Sequence, residues 1–396
     1  MTQFNTPARL AKLRARMTAE GVDAFIAIKS ANTEYLTGFD YIRDSSNPHV
    51  VLVTADEARF ITDGRYTEVA EKQAKNCEIW TVDSFGDQGI KDLAKIWNLT
   101  SFNTIALEDS MSHRIFSFIS TSVNSTESAL GEGTMQKVLA HVAGPTEVIA
   151  AVDWVEEIRA AKDEAELARI KAAQAITDKT FSHMCNYLKA GLSEKDVANE
   201  LEYTLRRLGA DDKAFSPIVA SGPNGSLPHA VPTDRVIEAG DLVTLDFGAS
   251  LGGYCSDMTR TVFIGGNDAE GNPIEPTDEQ RKVYNTVLAA QEASLAAFKE
   301  GTTGIEVDKA GRDIIIEAGY GDYFTHGTGH GIGLDIHELP NASPRSKTAL
   351  PAGAVITCEP GIYLPGKLGV RIEDMVVITK DGAESITTSS KDLLII

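Results

Sequence analysis

Hydrophobic positions along the chain change their period several times. Leu10, Leu13 and Met17 step by three and four, which predicts a helix that Gly21 stops. VDAFIAI follows and reads as a buried strand. VVLVT and RFITD, separated by ADEA, read as a hairpin, and TEVAEKQA as another helix. Up to about residue 150 the chain alternates helix and strand, an α/β pattern with no concentration of reactive side chains.

The texture changes over 151–165. WVEEIRAAKDEAELARIKAA is charge-rich and leads into a long amphipathic helix, with Ile170, Ala173, Thr177, Phe181, Met184 and Leu188 along one side and Gly191 at its close. A second helix is predicted from about Glu194 to Leu208, behind Ser193. A third opens at Thr277, with Gln280 completing a capping box, and ends near Gly301. A fourth covers about Ile305 to Ala318. Strands LVTLDFGA, YCSDMTRTVFIG, AVITCEPGIYL and GVRIEDMVVIT come between and after these pairs. The order helix–helix–strand therefore appears twice and points to two related halves, without a clear repeat in the residues themselves. Helices grouped against largely antiparallel strands are the α+β pattern.

Composition narrows the class. At 396 residues the chain is long enough for two domains, and 42% hydrophobic with 24% charged residues describes a soluble globular protein. The net charge of −20 disfavours nucleic acid and anionic membranes as partners. There is no apolar run of about 18 residues to span a bilayer. The N-terminal stretch has no apolar core of an export signal. Cys77, Cys185, Cys255 and Cys358 form no C-x-x-C pair, so free thiols and a cytoplasmic location are expected.

Two pairs of acids carry the candidate chemistry. Asp246 and Asp257 flank a turn near Gly252 and Gly253, and Glu359 and Glu373 flank one near Gly366, so paired strands would set acid nearly opposite acid twice. Like charges across strands repel, by about 4 kcal/mol at ~4 Å and an effective dielectric near 20. Two divalent cations would balance four carboxylates. HGTGHGIGLDIHELP supplies the imidazole. Its alternating glycines argue against a helix, so His326 and His330 are expected on an extended segment about 13 Å apart at ~3.3 Å per residue, too far to share an ion. His330 is the natural fifth ligand, and oxygen-rich ligation with one imidazole suits Mn2+, Co2+, Fe2+ or Zn2+. Cys255 and Cys358 read as core filler, and His49, His113, His141 and His183 as surface or core residues outside any cluster.

LDFGASLGGYCSDMTRTV, HGTGHGIGLDIHE, EPGIY and RIEDMVVI resemble the motifs of the pita-bread metallopeptidases, which include aminopeptidase P, prolidase and methionine aminopeptidase. EYLTGF and ITDGRYTE resemble the creatinase-type leading domain of the aminopeptidase P and prolidase branch. The resemblance covers essentially the whole chain. It implies an α+β pita-bread catalytic domain with pseudo-twofold halves over 156–396, preceded by a smaller α/β creatinase-type N-terminal domain over 1–155. It implies Asp246, Asp257, His330, Glu359 and Glu373 as ligands of two divalent ions, Mn2+ foremost, with Asp257 and Glu373 bridging. Catalytic roles fall to His229, His337 and Glu359, the last as proton shuttle. Substrate contacts fall to His229, His326, His337, Tyr363 and Arg371.

The implied activity is removal of the N-terminal residue preceding proline from peptides, by a homodimeric Xaa-Pro aminopeptidase. The alternative is an Xaa-Pro dipeptidase (prolidase), in which Arg371 could take the free proline carboxylate. A metal-free binding module would have lost ligands that this chain keeps. A creatinase-type hydrolase of a small guanidino compound would have no use for the four acids together.

Overall fold

The structure, a computed structural model, describes residues 4–40, 49–83, 98–124 and 146–396. The expected outlying histidine His141 lies outside these residues. The chain divides into two compact units between Arg159 and Ala160.

The first unit is built on a six-stranded mixed sheet. Its strands are β1 (Ala24–Ala27), β2 (Val50–Thr54), β3 (Ala58–Asp63), β4 (Glu78–Val82), β5 (Thr104–Glu108) and β6 (Glu147–Ala151), in the order β4-β3-β2-β1-β5-β6. The predicted VVLVT/RFITD hairpin pairs Val50 with Ile61 and Val53 with Ala58. Helices α1 (Thr6–Glu20), α2 (Ser30–Thr37), α3 (Thr67–Gln73), α4 (His113–Asn124) and α5 (Trp154–Ala160) accompany it. As predicted, α1 stops at Gly21, whose φ of 68° is left-handed and whose N–H bonds back to Met17 and Thr18 carbonyls.

The second unit carries two helix pairs, α6 (Glu164–Tyr187) with α7 (Glu194–Arg207), and α8 (Asp278–Ala297) with α9 (Gly304–Glu317). All four open on a reciprocal capping box: Asp163 with Glu166, Ser193 with Asp196, Thr277 with Gln280, and Thr303 with Glu306. Each box satisfies two orphan N–H groups and is worth about 1 kcal/mol. The long helix ends at Tyr187 rather than running on to Gly191. Gly191, at φ 95°, instead turns the elbow into α7, as Gly301, at φ 83°, turns the elbow into α9. The elbows LKAGLS (188–193) and FKEGTT (298–303) match position by position: a buried apolar residue, a lysine, a left-handed glycine and a hydroxyl cap. Each also bridges a later strand-like segment, Ser193 to Val236 and Thr303 to Ala349. The relation between the two halves thus shows in the residues over a stretch of six.

Against the helix pairs lie β7 (Asp212–Lys213), β8 (Ile218–Ser221), β9 (Leu242–Phe247), β10 (Ala249–Leu251), β11 (Tyr254–Cys255) and β12 (Met258–Phe263). After α9 come β13 (Gly329–Gly331), β14 (Glu338–Ala342), β15 (Val355–Cys358), β16 (Gly361–Leu364), β17 (Leu368–Arg371), β18 (Asp374–Ile378) and β19 (Ala383–Ser385). They form sheets β12-β9-β8, β11-β10-β7, β14-β13-β15-β18-β19 and β16-β17. Val197, Leu201 and Leu205 of α7 are fully buried against Val243, Leu245, Phe247 and Met258. Their spacing of four puts them on one face, and burying each contributes about 2 kcal/mol. Leu201→Ala is expected to cost about 2–5 kcal/mol, read from a denaturant melt. A loss below about 0.5 kcal/mol, the range of surface changes, would remove α7 from the core.

Candidate metal centre

Runs that read as single strands are broken at the acids. Asp257 lies between β11 and β12, Glu359 between β15 and β16, and Glu373 between β17 and β18. A residue at such a break leaves the ladder and can turn its side chain inward. Asp246 alone stays inside a strand, in the central β9, paired with Ile218 on one side and Thr259 on the other.

Register sets which acids meet. Asp246 pairs with Thr259, so Asp257, expected nearly opposite it, sits diagonally across, two residues off. The second pair follows the expectation more closely. Cys358 pairs with Asp374 on one side of the break and Gly361 with Arg371 on the other, so the same register brings Glu359 across from Glu373.

His330 is the middle residue of β13. Its N–H donates to Thr357 Oγ1 at 3.0 Å. Its Nδ1 lies 3.1 Å from the Gly331 carbonyl, which can only accept, so Nδ1 carries the proton and Nε2 keeps its lone pair. That Nε2 is 3.3 Å from Glu359 Oε1 and 3.7 Å from Asp257 Oδ2. Ligand atoms of Asp257, His330 and Glu373 all lie within 4.8 Å of one another. Gly329 and Gly331 serve close approach between strands: a Cβ at Gly329 would sit 1.9 Å from the Thr357 carbonyl, and one at Gly331 2.5 Å from that of Leu339.

The electrostatics are those of a cluster missing positive charge. Burial first, then the Glu373, Asp246 and Glu359 carboxylates, push the Asp257 carboxyl well above its usual range. Burial, with Glu359 and Asp246, does the same to Glu373, and burial raises Glu359. Burial lowers the pKa of His326, His330 and His337, so these imidazoles are neutral, the form that ligates metal. Asp246 Oδ1, Asp257 Oδ1 and Glu373 Oε1 are buried without a hydrogen-bond partner. Buried acceptors are otherwise satisfied, and these three atoms fit a cation.

Arg371 changes the charge balance expected from the sequence. Its buried guanidinium pairs with Asp246, donates to Thr259 Oγ1 at 3.0 Å, to Tyr363 Oη at 2.9 Å and to the Pro228 carbonyl at 3.1 Å. The cluster is therefore three negative charges in excess, not four. Those bonds also occupy the fork that a free substrate carboxylate would need. Tyr363 in turn donates to His326 Nε2 at 2.8 Å, because His326 Nδ1 is committed to the Gly327 carbonyl. The tyrosine stands behind His326 and Arg371, not in the cavity wall as expected of a substrate contact.

The cavity over the acids measures about 490 Å³. His229, His326 and His337 all line it, with the His337 ring 4.3 Å from that of His330. Phe215, Ile218, Pro228 and Ile336 give it an apolar wall. Sequence reasoning missed Asn341 and Ser343, which also line it. A signal was present: SLPHAVP (226–232) and ELPNASP (338–344) align, placing Asn341 where the first half has His229. Thr259 and Thr357 were missed too. Thr259 donates to Glu373 Oε2 at 2.7 Å and Thr357 to Glu359 Oε1 at 3.3 Å, each hydroxyl two residues from an acid.

Carboxylates and a neutral imidazole around orphaned buried oxygens, under an apolar-walled cavity, define a metal-dependent hydrolase. The chain belongs to metallopeptidase family M24, which it matches over 168–380, and residues 9–138 match the creatinase/prolidase N-terminal domain. It is 34% identical to an Xaa-Pro dipeptidase of Pyrococcus furiosus, over 98% of this chain and 99% of the relative. Among solved structures it resembles an Xaa-Pro dipeptidase from Bacillus anthracis, with a TM-score of 0.85, 38% identity, and 99% and 100% of the two chains covered. An X-Pro aminopeptidase from Thermotoga maritima gives a TM-score of 0.79 at 37% identity, over 96% of this chain and 100% of the other. Membership of this family implies divalent metal ions. No described helix is long and apolar enough to cross a membrane.

Proposed function

We propose that this chain is an Xaa-Pro dipeptidase. Its full-length similarity to relatives of that name carries the reading, in place of the aminopeptidase expected from the sequence. Asp246, Asp257, His330, Glu359 and Glu373 would hold two divalent ions, with Mn2+ the first to test. Such ions supply Lewis-acid charge and make water nucleophilic at neutral pH.

The chain's own residues do the rest. Glu359 borders the cavity, where burial raises its carboxyl above the usual range, and it is placed to accept a proton and return it. His337 and His229 reach the cavity from opposite loops and are placed to hydrogen-bond the scissile carbonyl and the leaving nitrogen. The wall of Phe215, Ile218, Pro228 and Ile336 suits a pyrrolidine ring. The four cysteines are free thiols, which supports a cytoplasmic location.

A second reading, an Xaa-Pro aminopeptidase, is favoured by one observation: Arg371 is the only lysine or arginine among the described residues lining the cavity, and it is already engaged. Rates on an Xaa-Pro dipeptide and an Xaa-Pro-Xaa tripeptide, with Mn2+, Co2+ and Zn2+ in turn, separate the two. The dipeptide is expected to turn over faster. Equal or faster cleavage of the tripeptide replaces the first reading with the second.

A further inference from the structure

The loop that carries Pro228 and His229 leaves β8 at Ser221 and returns at Thr233. Both of its ends, and a point within it, converge on one side chain. Glu194, the first residue of α7, is completely buried. Its Oε1 accepts from Ser221 N–H at 2.8 Å and Ser221 Oγ at 2.7 Å. Its Oε2 accepts from Thr233 N–H at 3.0 Å and Thr233 Oγ1 at 2.6 Å. Asn224 Nδ2, inside the loop, lies 3.1 Å from both oxygens.

A glutamate in the first turn of a helix ordinarily points into water, where it favours the helix dipole by a few tenths of a kcal/mol. This one is withdrawn from water altogether and spends every acceptor on a single loop. Burial alone would raise its pKa, but the Thr233 and Ser221 donors outweigh burial and hold it below the usual carboxylate range. It is ionised, and its bonds are of the stronger, charge-assisted kind. Arg235 completes the clamp by donating to Ser221 Oγ at 2.6 Å while paired to Asp241. Inside the loop, Gly225 packs so closely on β17 that a Cβ there would stand 3.0 Å from Gly369 N, and Arg371 holds the Pro228 carbonyl. The loop is therefore fixed at both ends by a carboxylate, and at its centre by contacts to the strand leading to Glu373.

The other half of the fold repeats the device. Asp308, buried on α9, accepts from Thr328 N–H and Oγ1, both at 3.1 Å. Its ion-pair partner Arg312 donates to the carbonyls of Phe324 at 2.9 Å and His326 at 2.6 Å. In each half the second helix holds, through a buried acid, the loop that brings a histidine to the cavity.

We propose that Glu194 is a positioning residue: it fixes the 221–233 loop so that His229 meets substrate in one orientation. This rests on the reading of His229 as a substrate-side residue of the peptidase site. The test is a double-mutant cycle on the manganese-loaded full chain with an Xaa-Pro dipeptide, comparing wild type, Glu194→Gln, His229→Ala and the double variant. Glu194→Gln is expected to keep the bound metal and speed amide exchange over 222–232. It should lower kcat/KM roughly tenfold, within the range of coupled residues in one network. In the His229→Ala background that loss should vanish.

If the two losses multiply, Glu194 acts on the enzyme as a whole and the proposal fails. If His229→Ala slows the enzyme and Glu194→Gln does not, the positioning role alone is wrong. If His229→Ala is silent, the assignment of His229 falls first and takes this inference with it. Thr233→Val removes one hydroxyl and keeps the backbone donor, so it decides the matter should Glu194→Gln not fold. It is expected to give a smaller loss that likewise disappears without His229, and a loss that persists there overturns the proposal.

Discussion

Glu373→Gln is expected to destroy activity and yet, in chelator, to melt at a higher temperature than the unaltered chain. The activity loss should exceed about 100-fold, since even the hydrogen-bonding partners of metal ligands are worth 10–100-fold. The gain in stability follows from what surrounds the side chain. Glu373 is 1% exposed, its Oε1 has no partner, and Glu359, Asp246 and Asp257 crowd it. An amide keeps the oxygen that Thr259 bonds and presents N–H donors to the neighbouring carboxylates. Satisfying one buried atom in this way contributes about 1–3 kcal/mol. Calorimetry with and without chelator checks it. A variant that melts lower than the unaltered chain in chelator would show that the acids are not a strained cluster awaiting cations.

The second large effect is the pH dependence of metal stabilisation. The metal-free chain holds Asp257, Glu359 and Glu373 with raised carboxyl pKa values. Above about pH 4 the unfolded chain has released protons that the folded one retains, so this contribution to stability declines as pH rises through the folded-state values. His326, His330 and His337 are lowered and work in the opposite sense: their contribution is present above about pH 6.5 and is lost as pH falls. Metal binding requires the carboxylates ionised and the imidazole neutral, so protons compete with it at acid pH. The difference in melting temperature between manganese-loaded and chelated protein should therefore be large at pH 8 and nearly closed at pH 5. At a thousandfold excess of metal over its dissociation constant the gap corresponds to about 4 kcal/mol. A gap of equal size at both pH values would mean that these groups do not hold the metal.

Much of this centre was legible in the sequence because its parts are local. A hairpin with an acid on each arm, or a histidine between glycines, can be read from a dozen residues, and Glu359 and Glu373 do face each other as the turn at Gly366 implied. Asp246 and Asp257 are offset because one pairing frame, centred between Gly252 and Gly253, runs through β10–β11 and β9–β12 and sets Thr259, not Asp257, across from Asp246. Arg371 was legible as a residue of the site, but not that it would be used up by Asp246, Thr259, Tyr363 and Pro228, which come from four separate segments. Glu194 gave no signal at all. A glutamate after a serine cap looks like any exposed helix start, and only the return of the chain from Ser221 to Thr233 buries it.

The hairpin that carries Glu359 and Glu373 has one further consequence. It passes from one sheet into another while keeping a single pairing frame through the break. Sliding either arm by one residue would still leave a hairpin, but side chains would trade faces. Glu359 would then be driven into the apolar cluster where Cys358 packs with Ala354, Ile356 and Val376. A misthreaded chain would thus bury a bare carboxylate among hydrocarbon and could not assemble the cation pocket. Correct pairing of this one hairpin is therefore a condition for Glu359 and Glu373 to meet at all.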